Sequence, residues 1–237
     1  MTTISNRLQD ILATIQSAQS ISPYHQQVKL LAVSKAQASS AIREAFVAGQ
    51  HLFGENYLQE ALDKQAELTD LTIEWHFIGP IQSNKTQPIA QQFDWVHSID
   101  RLKIAQRLND ARPNHMPPLQ VCIQVNVSNE ESKSGVTPNE LASLAEAITV
   151  LPKLKLRGLM AIPAPSHDIN QQTDQFKQVR QCYDALTAKG FELDTLSIGM
   201  SDDYPIAIAQ GATIVRIGSA LFGARANKSA QPHIELA

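Results

Sequence analysis

The chain has 237 residues, of which 43% are hydrophobic and 18% charged, and a formal net charge of −3. That supplies a sizeable core, and the slightly acidic balance with no dense Lys/Arg run argues against nucleic acid or an anionic membrane surface as partner. Length alone does not demand two domains, because α/β barrels of this size are single units.

The opening stretch, MTTISNRLQDILATIQSA, lacks the basic start and unbroken apolar run of a secretory signal. Ile4, Leu8, Ile11, Leu12 and Ile15 recur at helical spacing and predict an amphipathic helix packed on the domain. No run approaches the length of a membrane span.

From there, short apolar runs alternate with helical patterns. VKLLAVSK (28–35) is followed by SAIREAFVAG, HLFGEN (51–56) by YLQEALDKQAEL, and IEWHFIG (73–79) by a shorter segment, SNKTQPIAQQF, interrupted by Pro88. DWVHSI (94–99) precedes RLKIAQRLND, LQVCIQVN (119–126) precedes PNELASLAEAIT, and LKLRGLMAI (154–162) precedes TDQFKQVRQCYDALTAKG. TLSIGM (195–200) and TIVRIGSALFG (213–223) complete eight runs. Several helical segments open with Ser, Thr, Asp or Pro and close with Gly, as helix ends do.

Strand–helix alternation implies parallel pairing through right-handed crossovers. Eight such units predict a closed single-domain (β/α)8 barrel over residues 1–237 with an extra N-terminal helix; an open doubly wound sheet is the alternative. Cys122 and Cys182 fall in a predicted strand and a predicted helix, which suits free thiols in a reducing cytoplasm.

Barrels of this kind place chemistry at the C-terminal ends of their strands. Lys35 ends the first run and should point into the top of the barrel. Phosphate is commonly held by the loops after strands seven and eight. The first of these, GMSDDYPIAIAQG, offers Gly199 for close backbone approach, the Ser201 hydroxyl, and a helix beginning near Asp203 with Pro205 in its first turn. The second, RIGSALFGAR, offers Gly218 and Ser219 at the start of a short helix, where free N–H groups attract anions. GPIQSNKT (79–86) nearly matches a nucleoside triphosphate loop but has Asn84 where that loop needs glycine, and Pro80 removes a donor.

A lysine after strand one and an anion grip after strands seven and eight suggest pyridoxal 5'-phosphate. The stretches LLAVSK, FGENYLQE, WHFIGPIQSNK, SIDRLKIAQRL, QVNVSNEESKSG, RGLMAIP, LSIGMSDDYPIAI and VRIGSALFGAR, in that order, resemble the YggS/PROSC family of pyridoxal phosphate homeostasis proteins. The resemblance runs from about Arg7 to Arg225. Pro80-Ile81 and the MAIPAP segment depart slightly from the usual pattern, away from the expected cofactor residues.

The resemblance implies the barrel of the alanine racemase N-terminal domain, with Lys35 joined to pyridoxal phosphate as an internal aldimine. It further implies that Ser201, Gly218 and Ser219 hold the phosphate, that Arg216 faces the pyridine nitrogen, and that Asn56 and His76 line the ring. Lys133, in ESKSG, is a candidate secondary contact over the mouth. The implied role is to hold the cofactor, buffer it and deliver it to apo-enzymes without turnover, as a cytoplasmic monomer.

The chemistry supports a carrier. An arginine at the pyridine nitrogen donates and never gives up its proton, so the ring is left a weak electron sink. Related racemases add a tyrosine from a partner subunit, placed with the help of an extra β domain; the fourteen residues after Gly223 are expected to be too few for such a domain. Tyr24, Tyr57, Tyr183 and Tyr204 do not fall at strand ends. The alternatives are a racemase-like amino-acid enzyme using the same aldimine and a Schiff-base aldolase on a phosphorylated sugar. His51, His76 and His97 lack metal-ligand spacing, and no nucleophile elbow anchors a serine triad.

Overall fold

The computed structural model describes residues 2–127, 134–166 and 168–223; Lys133 lies outside them. Eight parallel strands, paired in chain order, close into a barrel. They are β1 (Lys29–Val33), β2 (Leu52–Glu55), β3 (Glu74–Phe77), β4 (Trp95–Ile99), β5 (Leu119–Gln124), β6 (Leu154–Met160), β7 (Thr195–Ser197) and β8 (Ile214–Ile217). The seam is the β1–β8 pairing, where Leu31 aligns with Arg216 and Ala32 with Ile217. The open-sheet alternative is thereby excluded.

The helices are α1 (Ile4–Ser20), α2 (Ser39–Val47), α3 (Leu58–Glu67), α4 (Thr86–Gln92), α5 (Leu102–Ala111), α6 (Leu141–Thr149), α7 (Ile169–Ala188), α8 (Tyr204–Ala209) and α9 (Ser219–Phe222). Strand side chains alternate between two cores. Leu30, Ala32, Phe53, Phe77, Val96 and Ile123 face the helices in the main cluster. Leu31, Val33, Ile78 and Ile214, with Trp95, Cys122 and Met160 as a separate group, pack the other face, the barrel interior. The barrel is therefore a filled core with its open space at one end.

The N-terminal helix has a structural job that follows from the short eighth unit. Only one turn, α9, follows β8 among the described residues, and α1 packs against α9, α8 and α2, filling the outer ring between the last units and the first. Thr3 caps it by accepting the Asn6 N–H at 3.1 Å, and Glu44 of α2 accepts the Ile4 N–H at 3.2 Å. Ile4, Leu8, Ile11 and Ile15 are buried as expected, each contributing about 2 kcal/mol of apolar transfer. Leu12, expected on the same face, is instead 40% exposed, because it lies at the edge of the stripe rather than within it.

Candidate functional site

The first strand runs apolar because both its faces are covered, and its chain leaves the sheet at Ser34, whose N–H still bonds Gly54 O at 3.0 Å. Alternation from Leu31 and Val33 then aims Lys35 at the barrel mouth. There a cavity of about 220 Å³ is lined by Lys35, Asn56, Ser201, Arg216, Gly218 and Ser219, with Val33, Ile78, Ile162 and Met200 as apolar walls. Six of the seven residues expected to bind the cofactor thus meet in one space. It has room for a substituted aromatic ring and none for a dinucleotide.

His76 is the exception. It does not line the cavity but is fully buried one layer down the barrel, stacked on Trp95 with centroids 5.3 Å apart. It sits in β3 two residues before Ile78, and Ile78 takes the place at the wall. Strand-end spacing could not separate adjacent interior layers.

Arg216 forms the cavity floor and is 4% exposed. One terminal nitrogen donates to the backbone oxygen of Ser197 and, at 2.8 Å, to its Oγ; the other donates to Ala161 O at 2.9 Å. Burial lowers its pKa to about 10, opposed by Asp203 and Cys122, so it stays a cation at neutral pH. Beneath it a polar chain descends the barrel axis. Ser197 Oγ lies 2.9 Å from His97 Nδ1, His97 Nε2 lies 2.9 Å from His76 Nδ1, and His76 Nε2 lies 2.9 Å from Glu74 Oε1.

One set of tautomers satisfies every link. Arg216 donates to Ser197, Ser197 to His97, His97 through Nε2–H to His76, and His76 through Nε2–H to Glu74. Both imidazoles are then neutral, and burial depresses the pKa of both, His97 the further because His76 and Arg216 add to the effect. Ser197 is hidden in the sequence pattern because the run TLSIGM continues to Met200, three residues past the actual end of β7 at Ser197. Its signal was parity, since it shares a strand face with Gly199 two residues on.

The far wall is set by the β7–α8 turn. Gly199 has φ +90°, and a Cβ there would lie 2.6 Å from that of Ala207. Asp203 caps the turn by accepting the Met200 N–H at 2.6 Å, and α8 begins at Tyr204 with Pro205 in its first turn, as expected. Ser201 Oγ accepts the Ala220 N–H at 3.4 Å, tying the β7–α8 turn to the start of α9.

The residues present fit a phosphorylated pyridine aldehyde. An amine and a guanidinium line one apolar-walled cavity together with hydroxyls and backbone from two loops. Asn56 Oδ1 is buried without a partner and needs a donor, which a ring hydroxyl would supply. Among the described residues no trio of His, Cys, Asp or Glu could hold a metal, and no helix is long and apolar enough to cross a membrane. Cys122 and Cys182 are free thiols, both with pKa raised by burial.

The family described as the alanine racemase N-terminal domain matches residues 7–226. A pyridoxal phosphate homeostasis protein of Pseudomonas aeruginosa is 58% identical over 226 residues, covering 95% of this chain and 97% of that one. Its namesake from Escherichia coli is 54% identical over 203 residues, covering 84% and 87%. PipY of Synechococcus elongatus, solved with pyridoxal phosphate bound, superposes with a TM-score of 0.82 at 38% identity, covering 93% of this chain and 100% of its own. Alanine racemase from Corynebacterium glutamicum shares the fold alone, at a TM-score of 0.67 and 17% identity, covering 92% of this chain and 63% of its own. The chain belongs to the pyridoxal phosphate homeostasis proteins, within the alanine racemase N-terminal domain family.

Proposed function

We propose that this protein binds pyridoxal 5'-phosphate in the barrel-mouth cavity, holds it as a Schiff base on Lys35, and buffers it for delivery to apo-enzymes. The carrying observation is the convergence of Lys35, Asn56, Arg216, Ser201, Gly218 and Ser219 on one space. It is joined by the PipY structure, whose chain is similar throughout and has the cofactor bound.

Binding balances simply. The neutral Lys35 amine adds to the aldehyde carbon, and the carbonyl oxygen leaves as water with both amine protons. When bound, the cofactor supplies an electron-withdrawing ring. Arg216 donates to the pyridine nitrogen and keeps that nitrogen from taking a proton, which weakens the ring as an electron sink. Ser201, Gly218 and Ser219 hold the phosphate, and Asn56 accepts from the ring hydroxyl.

A carrier reading is supported over a racemase because the described cavity lining contains no phenol, imidazole or thiol to act as a second acid–base group, and its one carboxylate, Asp202, is solvent-exposed. Free thiols suit the cytoplasm. The test is a visible spectrum of the protein with added cofactor, before and after borohydride, with the labelled peptide located. Label on Lys35, and its loss in Lys35→Ala, is the expected result. Unchanged absorption in Lys35→Ala overturns the Schiff base, and rapid α-hydrogen exchange of amino acids in deuterated water overturns the carrier.

A further inference from the structure

Lys35 is the second residue of a tight turn in which Gln37 N–H donates to Ser34 O at 3.0 Å. The third residue, Ala36, has φ +59°, a left-handed conformation that such turns normally give to glycine or asparagine. Alanine is disfavoured there by contact of its Cβ with the carbonyl. Something outside the turn has to hold it.

That hold comes from a buried charged cluster behind β2. Lys64 of α3, 5% exposed, donates to Ser34 O at 2.7 Å, to Glu55 Oε1 at 2.8 Å and to Glu60 Oε1 at 2.6 Å. Glu55 also accepts the Ser34 hydroxyl at 2.6 Å, and Glu60 accepts the Ala36 N–H at 2.6 Å. Residues on both sides of Lys35 are therefore bonded to one cluster. We propose that Lys64, Glu55 and Glu60 are positioning residues that clamp Ser34 and Ala36 and so set where the Lys35 amine meets an aldehyde carbon.

A purely structural role accounts poorly for this arrangement. Apolar side chains of similar volume fill such a space at less desolvation cost than an ammonium and two carboxylates. Glu55 Oε2 is also left buried without a partner, and burial pushes the Glu55 carboxyl above its usual range, with Lys64 the main opposing influence. What the charges add is direction, since all three Lys64 donors are used and one of them fixes the carbonyl next to Lys35.

The inference rests on the reading that Lys35 carries the cofactor. The experiment titrates Glu60→Ala, Glu60→Gln and Lys64→Met with pyridoxal phosphate and with 4-deoxypyridoxine 5'-phosphate, which has no aldehyde, and maps the borohydride label. Glu60 is partly exposed, its side chain at 27%, so its removal spares folding and decides the question even if Lys64→Met does not fold. Glu60→Ala should bind the aldehyde ~10-fold more weakly, while the analogue changes less than ~2-fold. Glu60→Gln, which keeps an acceptor for Ala36, should recover most of the loss. Equal losses for both ligands, or none for either, overturn the clamp while a Lys35 label in the unsubstituted protein leaves the cofactor reading standing. Absence of that label overturns both.

Discussion

His76 Nδ1 lies 2.9 Å from His97 Nε2 inside the barrel, and neither ring is exposed. Both folded-state pKa values lie below the ordinary histidine value, chiefly through burial; for His76 the Glu74 carboxylate opposes the shift in part, Asp94 adds to that opposition, and Lys29 works against it. The unfolded chain takes up these protons near pH 6.5, so below that value it binds more protons than the folded chain. Stability should be flat well above about pH 6.5 and fall as pH drops through that value toward the folded values. Glu55 works in the opposite sense, since its raised folded value lets the folded chain take that proton first. Urea unfolding at pH 7.5 and 5.5 checks this: His97→Gln should flatten the slope, and an unchanged slope would show that the pair does not titrate as argued.

Ser197 joins the arginine to the histidines, 2.8 Å from one and 2.9 Å from the other. Ser197→Ala leaves Arg216 its two backbone acceptors but strands His97 Nδ1 without a donor. The expected cost is about 1–3 kcal/mol of stability, measured by denaturant midpoint. Pyridoxal phosphate affinity should fall while the borohydride label stays on Lys35, because the loosened group, Arg216, is the one proposed to meet the ring nitrogen. A label that moved to other lysines would place Ser197 in a different role.

The barrel and its mouth were legible because their signals are local and repeated. Eight apolar runs separated by helical patterns leave little topological choice, and the strand ends at Lys35 and Arg216 need only the rule that chemistry sits there. Depth was not legible. His76 and Ile78 share a strand face, and nothing in IEWHFIG says which of them reaches the cavity and which lies a layer below. Nor was Lys64 readable as buried, since α3 carries its charges at spacings that suit a solvated surface. Burial of a lysine depends on Ser34 and Glu55, which come from two different strand ends.

Gly199 tests the proposed anion loops without removing a hydrogen-bonding side chain. Alanine there meets a left-handed φ of +90° and a contact of 2.6 Å with the Ala207 side chain. The clash engages the start of α8, so relief has to move the turn that carries Ser201. Gly199→Ala should cost about 1–3 kcal/mol in unfolding free energy, and weaken inorganic phosphate and cofactor binding together. Loss of stability with intact phosphate binding would separate this turn from the anion site.

The first helix gives a final, ligand-free prediction. Leu8 is fully buried on α1 where that helix spans the gap between α8 and α2, whereas Leu12 is 40% exposed one turn later. Removing the Leu8 side chain opens a cavity at the seam where the outer ring closes, and Leu8→Ala should cost about 2–5 kcal/mol. Leu12→Ala should stay within about 0.5 kcal/mol, as surface substitutions do. Because α9, at the mouth of the cavity, leans on the same helix, with Arg7 donating to Leu221 O, Leu8→Ala should also raise hydrogen exchange in the 219–222 turn. Equal effects of the two alanines on stability would mean that α1 is not seated in the ring as its buried stripe requires.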